Sequence, residues 1–489
     1  MRFVATLFLL LAAMPAAAQA PVPAPKVLKV GIQADIQGTN PQRAVDSYTL
    51  SVFGNVFETL AAFAPEGVQI VPALATEWSA DAAYRVWTFT LRRGVKFHDG
   101  SPLTTDAVVR SFRAIPGLPG TITAQGDDKV VLALAVPDAN FIQVVAQPYY
   151  AVLSPKMLED PSVVSGTGPF AYAGWEKRRE VILKKNPGYW RKPAELDEVR
   201  FIVLPGQAAL LEAVLAGRID LVDYLVGNTL KEHRSNPDLK VDSIMGNSTG
   251  FLNMNTTKPP FDDKRVRKAV AMALNPIALT QKFFSGSAGA PASSMVPPTL
   301  FSHFSRLPVN QPEKARALLK EAGWDGTKTF VLLEGWAPRP YMPDPHGIAL
   351  EVRKALGAVG IRVSVERDPD HYFERMDKGD FDLILNGWIA DTGDPVEYIY
   401  ANLHSKAIGQ NNAARWSNPA FDALIDACRT LKGKDLQAKL KEALARVDEE
   451  VPLVPLFYGP QTAIRNKRVV NYFVHPFEQL SVYTVSLAD

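Results

Sequence analysis

Two loops of the sequence carry residue types suited to holding a small charged molecule. The first reads Asn386-Gly387-Trp388-Ile389-Ala390-Asp391-Thr392-Gly393-Asp394-Pro395. It sets an aromatic plane beside a carboxylate, an arrangement that suits a desolvated ammonium group. Asp391 would supply a charge-assisted hydrogen bond, and Trp388 apolar cover or a cation–π face. The same residues also fit a turn in which an Asp caps a helix and the Trp belongs to a core. The second loop reads Trp336-Ala337-Pro338-Arg339-Pro340-Tyr341-Met342-Pro343-Asp344-Pro345. Its prolines lower the entropic cost of aiming Arg339, whose planar fork suits bidentate binding of a carboxylate. A surface Arg in a Pro-rich loop is the plainer alternative. One loop offers an anion and the other a cation, so a zwitterion is the natural ligand.

Other chemistries find weaker support. Gly246-Asn247-Ser248-Thr249-Gly250 matches the Gly-x-Ser-x-Gly pattern of hydrolase nucleophile elbows, which need a strand, a sharp turn and then a helix. Phe251 to Asn255 reads as a strand, so a strand-to-strand turn is expected and an enzyme is not. The 7 histidines are scattered without ligand spacing. His346 and His404, which follow the two loops, leave a single axial ligand to a haem or metal complex open. Trp336, Tyr341 and Trp388 could stack on a sugar. Cys428 is the single cysteine, on an apparent helix where burial is expected.

The elements that must position these loops are legible from periodicity. Phe330 to Leu333 reads as a strand, Gly347 to Leu356 as a helix, Ile361 to Val365 as a strand, Tyr372 to Lys378 as a helix and Phe381 to Leu385 as a strand. This alternation means a largely parallel sheet covered by helices. Both loops then follow strands at the carboxyl edge of the sheet, where ligands bind in such folds. Upstream, Val27 to Ile32, Trp87 to Leu91 and Val130 to Leu134 alternate as strands. Ala209 to Leu215 has helical spacing with Gly217 as C-cap, and Ile219 to Val222 follows as a strand. Val266 to Ala273 and Asn310 to Gly323 read as helices.

A length of 489 residues exceeds the ~250–300 at which single cores stop growing, so several domains are expected. The formal charge of +2 comes with interspersed signs, which argues against a nucleic-acid partner. Met1-Arg2, the apolar run Phe3 to Met14 and the small residues up to Ala20 read as a secretory signal peptide, with cleavage expected after Ala18. No cysteine stands at the expected new N-terminus, so no lipid anchor is expected there.

A family resemblance now becomes specific. Phe97-His98-Asp99-Gly100-Ser101-Pro102-Leu103-Thr104-Thr105-Asp106, Gly166-Thr167-Gly168-Pro169-Phe170, Asn186-Pro187-Gly188-Tyr189-Trp190 and Asn255-Thr256-Thr257-Lys258-Pro259-Pro260-Phe261-Asp262-Asp263-Lys264-Arg265-Val266-Arg267 resemble hallmark motifs of the extracellular solute-binding proteins of family 5. Pro72-Ala73-Leu74-Ala75 and Trp416-Ser417-Asn418-Pro419 extend the likeness over nearly the whole mature chain. Gly38-Thr39-Asn40-Pro41-Gln42 and the two charged loops resemble the dipeptide-binding branch, whose matching Asp holds the peptide ammonium and whose matching Arg holds its carboxylate.

The resemblance implies a two-lobed α/β periplasmic binding protein fold of type II, with mixed sheets covered by helices and a hinge between lobes. The expected divisions are signal peptide 1–18, linker 19–26, first lobe 27–57, extra subdomain 58–165, first lobe 166–255, second lobe 256–462 and a return to the first lobe at 463–489. It implies a periplasmic monomer, without cofactor or metal, that binds short peptides and docks on the permease of an ABC importer. A chemoreceptor contact stays open. Asp391, Trp388, Arg339, Tyr341, Gly38 and Asn255 are the expected ligand-binding residues. The stretch from Ser111 to Asp128 is short against the family pattern, which leaves ligand length open.

Overall fold

The computed structural model describes residues 24–44, 46–65, 67–226, 230–285, 287–300 and 310–488. The expected signal peptide and most of the linker lie outside the described residues. One large mixed sheet organises the rest. Its main strands are β1 (Val27–Ile32), β2 (Phe170–Glu176), β3 (Glu180–Lys185), β4 (Glu198–Val203), β5 (Leu221–Asp223), β6 (Leu239–Met254), β7 (Thr329–Leu333), β8 (Arg362–Glu366), β9 (Leu383–Ile389) and β10 (Leu453–Asn466). Across the sheet they run β8-β7-β9-β6-β10-β5-β1-β4-β3-β2, and the short Ala290–Pro291 strand adds to β10. β1 is parallel to β4 and β5, and β7 is parallel to β8 and β9; β6 pairs antiparallel with both β9 and β10. Two parallel units therefore flank an antiparallel centre.

Burial follows the same division. Leu28, Val30, Val199, Phe201 and Ala463 share one core, and Leu252, Phe330, Leu332, Leu385 and Leu456 share another. β6 has 16 residues and β10 has 14, or about 45–55 Å at ~3.3 Å per residue, long enough to serve both cores in turn. β10 leaves the second core at Phe457 and enters the first at Ala463. β6 already contributes Phe251, Leu252 and Met254 to second-lobe cores, so its crossing falls before the boundary expected after 255. The lobes are joined by continuous strands, not by a loop at that point.

A further unit precedes the hinge. Strands Ala75–Ala80, Val86–Leu91, Lys129–Leu134 and Gly120–Gln125 form a separate antiparallel sheet in that order, covered by the helix Thr105–Arg113. Trp87, Phe89, Phe112, Val130 and Leu132 fill its core. Where the chain leaves and re-enters this unit, the half-buried Glu58 carboxylate accepts hydrogen bonds from Thr167 Oγ1 (2.8 Å), Tyr189 Oη (2.8 Å) and Trp190 Nε1 (2.7 Å). Gly166 and Gly168 have no room for a Cβ, which would meet the Val56 carbonyl oxygen at 2.2 and 2.7 Å.

The strand–helix alternation read from Phe330 to Leu385 is present, with a helix at Pro345–Ala358 and another at Tyr372–Lys378. β9 begins later than expected and runs on to Ile389, because its pairing with β6 continues through Thr249–Trp388 and Ser248–Ile389. Trp388 is thus a strand residue rather than a loop residue. The Gly246–Gly250 segment is likewise no turn: it lies inside β6, at a bulge between Met245 and Ser248.

Glycine is required at this crossing. A Cβ at Gly459 would lie 2.4 Å from Ser248 Oγ and 2.7 Å from the Tyr341 nitrogen. Gly459→Ala is expected to destabilise the protein by about 1–3 kcal/mol through overpacking, read from denaturant unfolding.

Candidate functional site

The backbone beyond β9 stays on β6 for one more residue, with the Ala390 N–H donating to the Asn247 carbonyl at 2.8 Å. The loop then ends at Asp394, whose carboxylate accepts from the Val396 N–H at 2.9 Å and caps the helix Pro395–Leu403. Capping falls to Asp394, which leaves Asp391 free of that role. Asp391 is exposed by surface area, although many protein atoms stand around its carboxylate. Burial pushes its pKa up to about 7, with repulsion from Glu397 and Glu478 adding to the effect. The Gln147 side-chain amide of the extra subdomain donates to the Asp391 carbonyl. Trp388 is half-buried against the core of Phe251, Tyr398 and Ile399, so it is partly the core residue that the alternative reading required.

The second loop makes a tight turn in which Arg339 and Met342 exchange backbone hydrogen bonds of 3.0 and 2.8 Å. Three central strands supply glycines beneath it. A Cβ would meet the Tyr341 carbonyl oxygen at 2.4 Å from Gly250 and the Tyr341 ring at 2.4 Å from Gly387, while Gly459 abuts Pro340. Tyr341 is only 7% exposed and belongs to the second-lobe core. The structure therefore corrects its expected role: it seats the turn instead of presenting a surface to a solute.

Arg339 is half-buried and its Nε has no partner. Its guanidinium carbon lies 5.6 Å from the Trp336 ring centroid and 5.8 Å from that of Tyr224. Burial works against its charge, but Tyr224, Tyr341 and Glu478 outweigh this and hold its pKa above the usual arginine value.

Asn255 is misassigned by sequence reasoning. It is 1% exposed, its Nδ2 donates to the carbonyls of Gly379 (3.1 Å) and Phe381 (3.2 Å), and its Oδ1 accepts from Thr257. It also follows the Met254–Leu383 end of the β6–β9 pair, whereas Asp391 follows the opposite end at Ile389. Gly38 is half-exposed after β1, with nothing within 4 Å of an added Cβ, so neither its conformation nor its packing demands glycine.

The structure adds residues that the sequence did not reveal. Glu478, from the C-terminal segment, acts electrostatically on both Asp391 and Arg339 and so stands within electrostatic reach of both loops. Its Oε1 accepts from Gln461 Nε2 at 3.1 Å. Glu478 and Tyr224 have φ of 58° and 75°, a region that side chains other than glycine rarely adopt and that clusters at ligand sites. Several buried polar atoms at the crossing and beside the loops lack partners among the described residues: both side-chain atoms of Asn247, Ser248 Oγ, Tyr224 Oη and Gln143 Oε1. Native proteins pair such atoms, so a bound solute or water is the expected partner. Ser248 is fully buried within its strand, the wrong setting for a nucleophile elbow.

His346 Nδ1 lies 2.7 Å from Glu334. His404 is buried, stacks on Tyr400 at 4.2 Å and accepts from the Lys406 N–H. Both have structural partners. Cys428 is fully buried, and burial pushes its thiol pKa to about 12.

Residues 69–410, more than half of the chain, match the bacterial extracellular solute-binding proteins, family 5 Middle. The chain belongs to this family. It is 29% identical to di/tripeptide-binding protein 2 of Pseudomonas aeruginosa, over 99% of this chain and 98% of that protein. It is 27% identical to heme-binding protein A of Haemophilus influenzae, over 88% of this chain and 87% of that protein. The solved structure of the ABC transporter-associated periplasmic binding protein DppA from Helicobacter pylori, in complex with the peptide STSA, superposes with a TM-score of 0.80 at 25% identity, covering 95% of this chain and 98% of that one. The fold is the two-lobed one of periplasmic binding proteins, and this solute-binding protein performs no chemistry.

Asn255 and Asp391 should therefore respond differently to mutation. Asn255→Ala is expected to destabilise this family 5 protein by about 1–3 kcal/mol for each buried carbonyl it leaves unpaired, visible as a lower unfolding midpoint.

Proposed function

We propose that this protein captures dipeptides or other short peptides in the periplasm and delivers them to the permease of an ABC importer. The observation that carries the reading is a carboxylate, Asp391, and a guanidinium, Arg339, on neighbouring loops, neither in a direct ion pair among the described residues and Arg339 offset only at longer range by Glu478. They follow β9 and β7, which are adjacent and parallel. A peptide ammonium on Asp391 and a peptide carboxylate on Arg339 satisfy both. The peptide-binding names of the relatives agree with this chemistry.

The lobes carry the delivery step. Gln147, Glu478 and Tyr224 come from the first lobe and its subdomain, while Asp391 and Arg339 come from the second. A peptide touching both sets binds the closed form more tightly than the open one and shifts the population towards it. The permease then reads the closed form. The working division is the first lobe at 27–57, 166–255 and 463–489, the extra subdomain at 58–165 and the second lobe at 256–462, except that the end of β6 from Phe251 already packs in the second lobe. The protein acts as a monomer freed by cleavage after Ala18, without a lipid anchor.

Mass spectrometry of protein purified without refolding should find co-purifying short peptides. Calorimetric titration should show dipeptide affinity falling at least about tenfold in Asp391→Ala, as expected for loss of a charge-assisted hydrogen bond. Recovery of haem or a metal complex, with peptide binding indifferent to Asp391 and Arg339, would discard the ligand.

Affinity should also depend on pH through Asp391. Its pKa is about 7 in the free protein, with Glu397, Glu478 and Tyr149 as the titratable neighbours. A bound ammonium lowers that pKa, so binding releases a proton below pH 7. Affinity is expected to fall by up to about tenfold per unit as pH drops below 7, and to level above it until the ligand amino group deprotonates near ~8. Asp391→Asn should flatten the acid side of this profile.

A further inference from the structure

A second pocket opens beside Arg339 on the first-lobe side of the cleft, and the dipeptide reading does not use it. It lies at the carboxyl ends of the parallel strands β1 and β5 and has an empty volume of about 380 Å³ that runs out to solvent. Asp223, Tyr224, Glu478, Tyr48 and Ser51 line it. Tyr224 and Glu478 join it to Arg339: the guanidinium lies over the Tyr224 ring and is stabilised by Glu478.

The pocket is electrically incomplete. Among the described residues no Lys, Arg or His comes within ion-pair distance of either carboxylate. Arg339 offsets Glu478 only at longer range. The Tyr224 hydroxyl, almost wholly enclosed, has no hydrogen-bond partner, and Tyr224 and Glu478 both hold left-handed backbone conformations. Burial, reinforced by Glu478, pushes the Asp223 pKa up to about 7.

A ligand carboxylate on Arg339 makes the imbalance worse, because it takes over the charge that Glu478 relied on. Two half-buried carboxylates then share one pocket without a cation, which is unfavourable where water is partly excluded. A ligand cation placed between them restores neutrality. The tyrosine walls suit the methylene stem and the charged head of such a side chain.

We propose that this pocket takes the positively charged side chain of the ligand residue whose carboxylate sits on Arg339, so that the protein prefers peptides ending in Lys or Arg. The inference rests on the peptide reading of the same cleft and assigns its side-chain specificity. The preference is positional, because Tyr224 and Glu478 join this pocket to Arg339.

Calorimetric titration of the full mature protein with Ala-Lys, Lys-Ala, Ala-Met and Ala-Glu tests it. Ala-Lys should bind at least about tenfold more tightly than Ala-Met and more tightly than Lys-Ala, and Ala-Glu should bind worst. The Ala-Lys to Ala-Met affinity ratio should collapse towards one in Glu478→Gln and in Asp223→Asn, each checked for native unfolding behaviour. Dipeptides that bind without this order, or an order unchanged in both variants, would overturn the inference and leave the peptide reading intact. Failure of every dipeptide to bind the folded wild-type protein would overturn both.

Discussion

Much of the architecture goes into holding two opposite charges, the half-buried Arg339 and the more exposed Asp391, on separate loops beyond adjacent parallel strands. An unpaired guanidinium and an unpaired carboxylate are each costly inside a protein. Had Arg339 and Asp391 closed on each other, they would have formed an internal salt bridge and left nothing for a solute. The fold prevents this by fixing both loops. Arg339 is locked in a turn that closes on Met342 and rests on glycines from three central strands. Asp391 is held by its hydrogen-bonded backbone and relieved of capping by Asp394. In the proposed function these charges await a ligand, with Glu478 offsetting Arg339 from a distance until one binds.

The same constraint explains the long central strands. β6 and β10 bring a C-terminal acid, Glu478, opposite two loops that precede it by about 90 and 140 residues. Their crossing is lined by Asn247 and Ser248, whose buried polar side-chain atoms lack partners among the described residues. A sheet that passes through both cores gives the cleft a rigid floor, while the lobes on either side can still close over it.

Legibility in the sequence followed the locality of the physics. The β7–helix–β8–helix–β9 unit was readable because its hydrophobic periods and glycine stops are local, and it fixed the sheet edge where both charged loops lie. The positions of Asp391 and Arg339, beyond β9 and β7, were readable for the same reason. The family motifs proved to be architecture: Thr167, Tyr189 and Trp190 bind Glu58 at the root of the extra subdomain. Asn255, which opens another such motif, anchors the far end of β6 and does not face a solute. Tyr341 looked like a binding residue because it neighbours Arg339, yet the glycine beneath its ring shows that it packs. Glu478, Tyr224 and Gln147 carried no local signal at all, since only the long-range pairing of β10 and the placement of the subdomain bring them to the cleft.

The central claim is that Asp391 acts on the ammonium of the bound peptide, and a double-mutant cycle between protein and ligand tests it most directly. Dipeptide and N-acetyl-dipeptide would be titrated into wild-type protein and into Asp391→Ala. If the account holds, acetylation and the mutation each weaken binding at least about tenfold, and their effects do not add, because both delete the same interaction. Losses that add in full would mean that Asp391 and the ammonium do not meet, and would contradict it.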